Sequence, residues 1–131
     1  MGNVLFEAGN PQGAQRYHER ALELDPKNVQ ALVGMGNAMY EMQKPKEAVK
    51  YYEEALENRP GLGDVHYNLG NALYLIDETD EAIANFNMAI KLNPDNAESY
   101  YNLGNALCVK NDYQSAIAFY KKAIELDSDN A

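Results

Sequence analysis

The chain has 131 residues, 46% hydrophobic and 24% charged, a composition of folded proteins rather than of disordered or low-complexity ones. Its formal net charge of −9 argues against a nucleic-acid binder working through phosphate neutralisation, and no apolar run approaches the roughly 18 residues of a membrane span. A single cysteine excludes an internal disulfide, and with two histidines beside it the usual zinc-ligand set is missing.

Read in chain order, four residue columns recur at a spacing of 34. Glycine stands at Gly2, Gly36, Gly70 and Gly104. Alanine stands at Ala14, Ala48, Ala82 and Ala116, and again at Ala21, Ala55, Ala89 and Ala123. Proline stands at Pro26, Pro60 and Pro94, with Ser128 at the next step. Such self-similarity marks an array of one supersecondary unit. The units are residues 1–26, which lack the start of the pattern, then 27–60, 61–94 and 95–128; residues 129–131 begin a further unit or a tail.

Each unit reads as two helices. In the third unit the first helix carries Val65, Leu69, Ala72, Leu73 and Ile76 at spacings of three and four. A polar break is expected over Asp77, Glu78, Thr79 and Asp80. The second helix carries Ala82, Ile83, Phe86, Ala89 and Ile90, and Asn93-Pro94 stops it, because proline cannot continue the ladder and restricts its predecessor. Glycine inside a helix costs about 1 kcal/mol relative to alanine, so the glycine column needs a packing reason. Close approach of the two helices supplies it, with large residues filling the space beside the small ones.

These columns resemble the tetratricopeptide repeat (TPR) family over essentially the whole length. Counting the signature glycine as position 8, the alanines fall at positions 20 and 27 and the proline at 32. Position 24, usually aromatic, is His18, Tyr52, Phe86 and Tyr120. The resemblance implies an all-α, right-handed superhelical solenoid of antiparallel helix pairs. It also implies a concave groove lined by the first helices, at positions 2, 5, 6, 9, 12 and 13. Arrays of this kind need polar caps, and the sequence suggests a segment of a longer array, with apolar ends around Leu5 and around Ala116, Ile117, Tyr120 and Ile124.

The groove positions are rich in amides and rings. Position 9 is Asn3, Asn37, Asn71 and Asn105; position 6 is Gly34, Asn68 and Asn102. Position 5 includes Tyr67 and Tyr101, and position 12 is Phe6, Tyr40, Tyr74 and Cys108. An asparagine amide can pair with both the N–H and the C=O of a peptide backbone, whatever its side chains. Adjacent helices sit roughly 8–10 Å apart and an extended peptide rises about 3.3 Å per residue, so one asparagine meets about every third residue. Asn68 and Asn102 resemble the asparagine ladder of O-GlcNAc transferase and kinesin-light-chain arrays. The position-9 asparagines have a second reading, as bonds to a neighbouring helix or loop. The carboxylate clamp of heat-shock co-chaperones is rejected, since its cations are absent: position 2 is Gln30, Asp64 and Glu98. Glu7, Glu41, Asp64 and Glu98 make the groove acidic, which favours neutral or basic segments.

No catalytic constellation is visible. His18 and His66 occupy packing columns, Cys108 has no cation suited to activating it, and the carboxylates are scattered. The expectation is a non-catalytic, cofactor-free and metal-free scaffold for protein–protein interaction. It binds an extended peptide through Asn37, Tyr67, Asn68, Asn71, Tyr74, Tyr101, Asn102 and Asn105. The alternatives are end-to-end self-assembly through uncapped helices, giving a homo-oligomer, or a substrate-recruiting array of a larger enzyme. Neither nucleic acid nor membrane is expected as a partner. With no secretory signal in Met1–Phe6 and no glycosylation sequon, an intracellular, cytoplasmic location is expected.

Overall fold

The structure is a computed structural model and describes residues 11–130, the side chains of residues 11, 12, 14 and 128–130 excepted; the expectations for Gly2, Asn3, Leu5, Phe6 and Glu7 lie outside the described residues. Among the described residues there are seven helices and no strand. The chain divides into two compact units, Met1–Gly61 and Leu62–Ala131. The first contains α1 (Pro11–Leu24), α2 (Val29–Glu41) and α3 (Pro45–Asn58). The second contains α4 (Gly63–Leu75), α5 (Thr79–Leu92), α6 (Ala97–Val109) and α7 (Tyr113–Asn130). In the first unit α2 packs on both α1 and α3. In the second, α4 pairs with α5 and α6 with α7, while α6 also packs on α5 and touches α4.

The glycine column closes each helix pair. Gly36 lies under the Tyr52 ring, Gly70 under Phe86 and Gly104 under Tyr120. A Cβ at these glycines would sit 2.5, 2.7 and 2.7 Å from the nearest ring carbon, closer than any real contact. Tyr52 and Phe86 are each only 1% exposed, so their rings have nowhere to retreat. The alanines beside them (Ala48, Ala55, Ala82, Ala89, Ala116 and Ala123) are buried at the same crossings. His18 departs from this scheme: its half-buried ring meets Gly34 of the following helix and the edge of Tyr17, at 5.4 Å between centroids. Burial holds the His18 pKa below its usual 6.5, which keeps the ring neutral at physiological pH.

The turns between first and second helices are one device used three times. Gln43, Asp77 and Asn111 have φ of 62°, 66° and 64°. The next residue donates its N–H five residues back: Lys44 to Met39, Glu78 to Leu73 and Asp112 to Leu107, at 2.8, 2.9 and 2.9 Å. This left-handed cap satisfies the last carbonyls of α2, α4 and α6 within a few residues. It explains why Thr79 and Asp80 belong to α5 and not to the expected polar break. With the cap complete at Glu78, the next helix starts at once, and Asp80 and Glu81 lie in its first turn, where the dipole favours acids.

Proline ends the second helices as expected. Arg59 and Asn93, which precede Pro60 and Pro94, are extended, with φ/ψ of −142°/92° and −144°/83°. Where Ser128 replaces proline, α7 runs on to Asn130, so residues 129–130 continue that helix. Asn28 and Asn96 cap α2 and α6 by accepting from the backbone N–H of Ala31 and Glu98. Ser99, 1% exposed on α6, is a buried hydroxyl without a hydrogen-bond partner.

Three stability changes follow from this packing. Gly70→Ala lowers stability by about 1–3 kcal/mol in urea unfolding, although alanine is the better helix former, because its methyl overpacks against Phe86. Gln43→Gly and Asp77→Gly raise stability by about 0.5–1 kcal/mol each, while Asn111→Gly gains least, asparagine tolerating the left-handed region better. Ser99→Ala is neutral or stabilising by about 1 kcal/mol, since it removes an unpaired buried hydroxyl.

Candidate functional site

The first helices of the second unit carry most of the expected groove residues, and α4 and α6 bring them together. The Tyr67 hydroxyl donates to Glu98 Oε2 at 3.0 Å and accepts from Asn102 Nδ2 at 3.0 Å. Asn102 Nδ2 also donates to Asn71 Oδ1, at 2.9 Å. A continuous chain Glu98–Tyr67–Asn102–Asn71 therefore crosses from one first helix to the next. Burial is the main cause of a raised Tyr67 pKa; the Asn71 and Asn102 amides oppose it and Glu98 adds to it, so the hydroxyl stays a donor at neutral pH.

This network changes what Asn102 can offer. Its two N–H groups are both engaged inside the chain, and its carbonyl oxygen is the remaining capacity. Asn71 is complementary: its oxygen is taken by Asn102 and its amide also interacts with the Tyr67 hydroxyl, so what it has left is donor capacity. Asn71, Tyr74, Phe86, Asn102 and Asn105 border one small recess of about 40 Å³. Asn68 is half-buried on α4, one residue beyond Tyr67.

The position-9 asparagines divide according to the ring at position 24. Where that ring is tyrosine, its hydroxyl donates to the asparagine oxygen: Tyr52 to Asn37 and Tyr120 to Asn105, both at 2.5 Å. Where it is Phe86, no such donor exists, and Asn71 receives Asn102 instead. Asn37 and Asn105 thus bond the second helix of their own pair, as the alternative reading of that column expected. Asn37 lies in the first unit; the other seven candidate residues lie in the second.

Tyr101 is 55% exposed and tilts against Tyr120 at 5.6 Å between centroids. Cys108 sits 3.6 Å from the Tyr120 hydroxyl. Burial and the neighbouring Cys108 push that hydroxyl's pKa up to about 12. A larger cavity of roughly 690 Å³ opens beside Tyr101 and Asn102 and is floored by α7. Glu98 and Asp127 stand at its edge and keep it acidic.

Reading the sequence alone missed Glu98 as the acceptor of Tyr67 and Tyr120 as the anchor of Asn105. The first had a signal, an acid at position 2 in both Asp64 and Glu98; the second had the alternation of tyrosine and phenylalanine at position 24. His66 stands in a packing column of the sequence, yet it also makes a polar contact. Its Nδ1 lies 3.0 Å from Asn85 Oδ1, to which it donates, and Asn85 in turn donates to the Glu81 carbonyl. Among the described residues no cluster of three His, Cys, Asp or Glu side chains could hold a metal, and no helix is long and apolar enough to cross a membrane.

Family models described as tetratricopeptide repeat match residues 1–61 and 97–130, and one described as TPR repeat matches 70–108. No curated protein matches the chain by sequence. Among solved structures, a crystal structure of MamA is 29% identical, with a TM-score of 0.92 over 96% of this chain and 74% of that one. MamA 41-end from Desulfovibrio magneticus RS-1 is 24% identical, with a TM-score of 0.92 over 98% of this chain and 73% of that one, a likeness of fold. YrrB, described as a TPR protein with an unusual peptide-binding site, is 25% identical, with a TM-score of 0.89 over 98% of this chain and 66% of that one. With the 34-residue columns and paired helices in place, these matches establish that the chain belongs to the tetratricopeptide repeat family.

Proposed function

We propose that the second unit holds an extended segment of a protein partner along the strip formed by Tyr67, Asn68, Asn71, Tyr74, Tyr101, Asn102 and Asn105. The family's fold supports a protein–protein interaction scaffold, and such scaffolds are generally non-catalytic. The observation that carries the finer reading is the complementary state of neighbouring amides around one recess. Asn102 has an acceptor to spare, Asn105 has its oxygen engaged and N–H groups to give, and Asn71 keeps donor capacity beyond its contact with the Tyr67 hydroxyl. A peptide backbone presents donors and acceptors in alternation, so such a strip engages main chain and tolerates varied side chains. YrrB, with its peptide-binding site, is a precedent for peptide recognition on this fold.

Specificity then comes from rings and charge. Tyr74 and Tyr101 offer aromatic surface, and Glu98 and Asp127 disfavour acidic ligands. The preferred segment is neutral or basic and extended.

The test begins with selection of unstructured peptides from a phage-displayed library on the immobilised chain. The selected set is expected to be poor in Asp and Glu. Asn68→Ala combined with Asn102→Ala is expected to weaken the best peptide about 100-fold in calorimetric titration, at about 1–1.5 kcal/mol for each backbone contact. Helicity by circular dichroism should stay unchanged. Undiminished affinity in the double variant would remove the strip from the account.

A further inference from the structure

Three helix pairs differ by one oxygen atom, and a recess lies where it is missing. In two of them the ring packed on the glycine is a tyrosine whose hydroxyl donates to an asparagine of the first helix, Tyr52 to Asn37 and Tyr120 to Asn105. Between α4 and α5 the ring is Phe86, 1% exposed and without a hydroxyl. The recess of about 40 Å³ opens against this ring, with Asn71, Tyr74, Asn102 and Asn105 as its other walls. A water molecule's share of liquid volume is about 30 Å³, so the space suits a hydroxyl with its carbon rather than a ring or a long chain. The polar walls define the group further. Asn102 and Asn105 stand three residues apart on α6, which puts their Cβ atoms about 5–6 Å apart on one face. One oxygen placed between the two amides can bond both at about 2.9 Å. Asn102 offers it a carbonyl and Asn105 an N–H, so the bridging atom must donate and accept at once. A carboxylate only accepts and an ammonium only donates, whereas a hydroxyl does both.

We infer that this recess selects a serine or threonine of the bound segment, whose hydroxyl takes the place of the phenolic oxygen that Phe86 lacks. The hydroxyl donates to Asn102 Oδ1 and accepts from Asn105 Nδ2. Each amide keeps a second group for the main chain, a lone pair on Asn102 Oδ1 and the other N–H of Asn105. The carbon that bears the hydroxyl rests on Phe86 and Tyr74. The inference rests on the reading of an extended segment along the amide strip, and adds to it one side chain that the segment must carry.

The probes are the best peptide from the phage-displayed library and its copies with each serine or threonine changed in turn to alanine, titrated by calorimetry into the full chain. The selected set is expected to share one position rich in serine and threonine. Alanine at that position is expected to weaken binding about 10-fold, and alanine at other hydroxyl positions to change it less than about 2-fold. Phe86→Tyr supplies the missing hydroxyl from within the chain and fills the recess. On that variant the hydroxyl peptide and its alanine copy are expected to bind within about 2-fold of each other. Circular dichroism checks its fold, and the columns holding Tyr52 and Tyr120 already accept tyrosine at this position. Should Phe86→Tyr not fold, the alanine copies on the native chain still decide. No shared hydroxyl position, a loss under about 2-fold for every alanine copy, or the same 10-fold loss on folded Phe86→Tyr would overturn the recess. Such a result with affinity still sensitive to Asn68→Ala and Asn102→Ala strikes the recess alone. Affinity insensitive to that pair strikes the strip, and the recess with it.

Discussion

The contact on which both units depend is an aromatic ring packed directly against a glycine. Tyr52 on Gly36, Phe86 on Gly70 and Tyr120 on Gly104 set the separation of the paired helices, and no side chain larger than hydrogen fits beneath them. Everything nearby is scaled to that distance. The alanines are nearly without exposure, and the left-handed caps at Gln43, Asp77 and Asn111 return the chain within a few residues. Glycine in a helix is locally unfavourable, by about 1 kcal/mol, and burial of a whole aromatic side chain, worth about 1.5–3 kcal/mol, outweighs it.

The same ring decides the chemistry of the groove. Tyrosine at position 24 sends its hydroxyl through the pair to hold an asparagine on the first helix, as in Tyr52–Asn37 and Tyr120–Asn105. Phenylalanine at that position has no hydroxyl to give, and Asn71 accepts from Asn102 of the next first helix. The ring at position 24 thus decides whether the asparagine oxygen carries a bond from within its own pair, as at Asn37 and Asn105, or does not, as at Asn71. The link runs from sequence through packing to the hydrogen-bonding capacity that a ligand meets.

Much of the fold was legible in the sequence because the 34-residue columns report packing directly. Pro60 and Pro94 mark real helix ends, and the small and aromatic columns mark real crossings. The cap at Asp77 is not legible, since no glycine marks the left-handed position and its column holds Gln43, Asp77 and Asn111, so a polar break extending over Thr79 is the natural expectation. At the candidate site the residue types were legible and their bonding was not. Tyr67–Glu98 and Asn71–Asn102 are 31 residues apart, and Tyr67–Asn102 35 apart. Such pairs depend on how far one helix slides along the next, which no column records.

The central claim is that the amides of α4 and α6 meet the main chain of an extended partner. Side-chain amide resonances of ¹⁵N-labelled protein, followed during titration with a selected peptide, address it most directly. Large shifts are expected at Asn71, Asn102 and Asn105, with smaller changes across the outward faces of α5 and α7. Shifts confined to those outward faces, with the three amides unmoved at saturation, would contradict it.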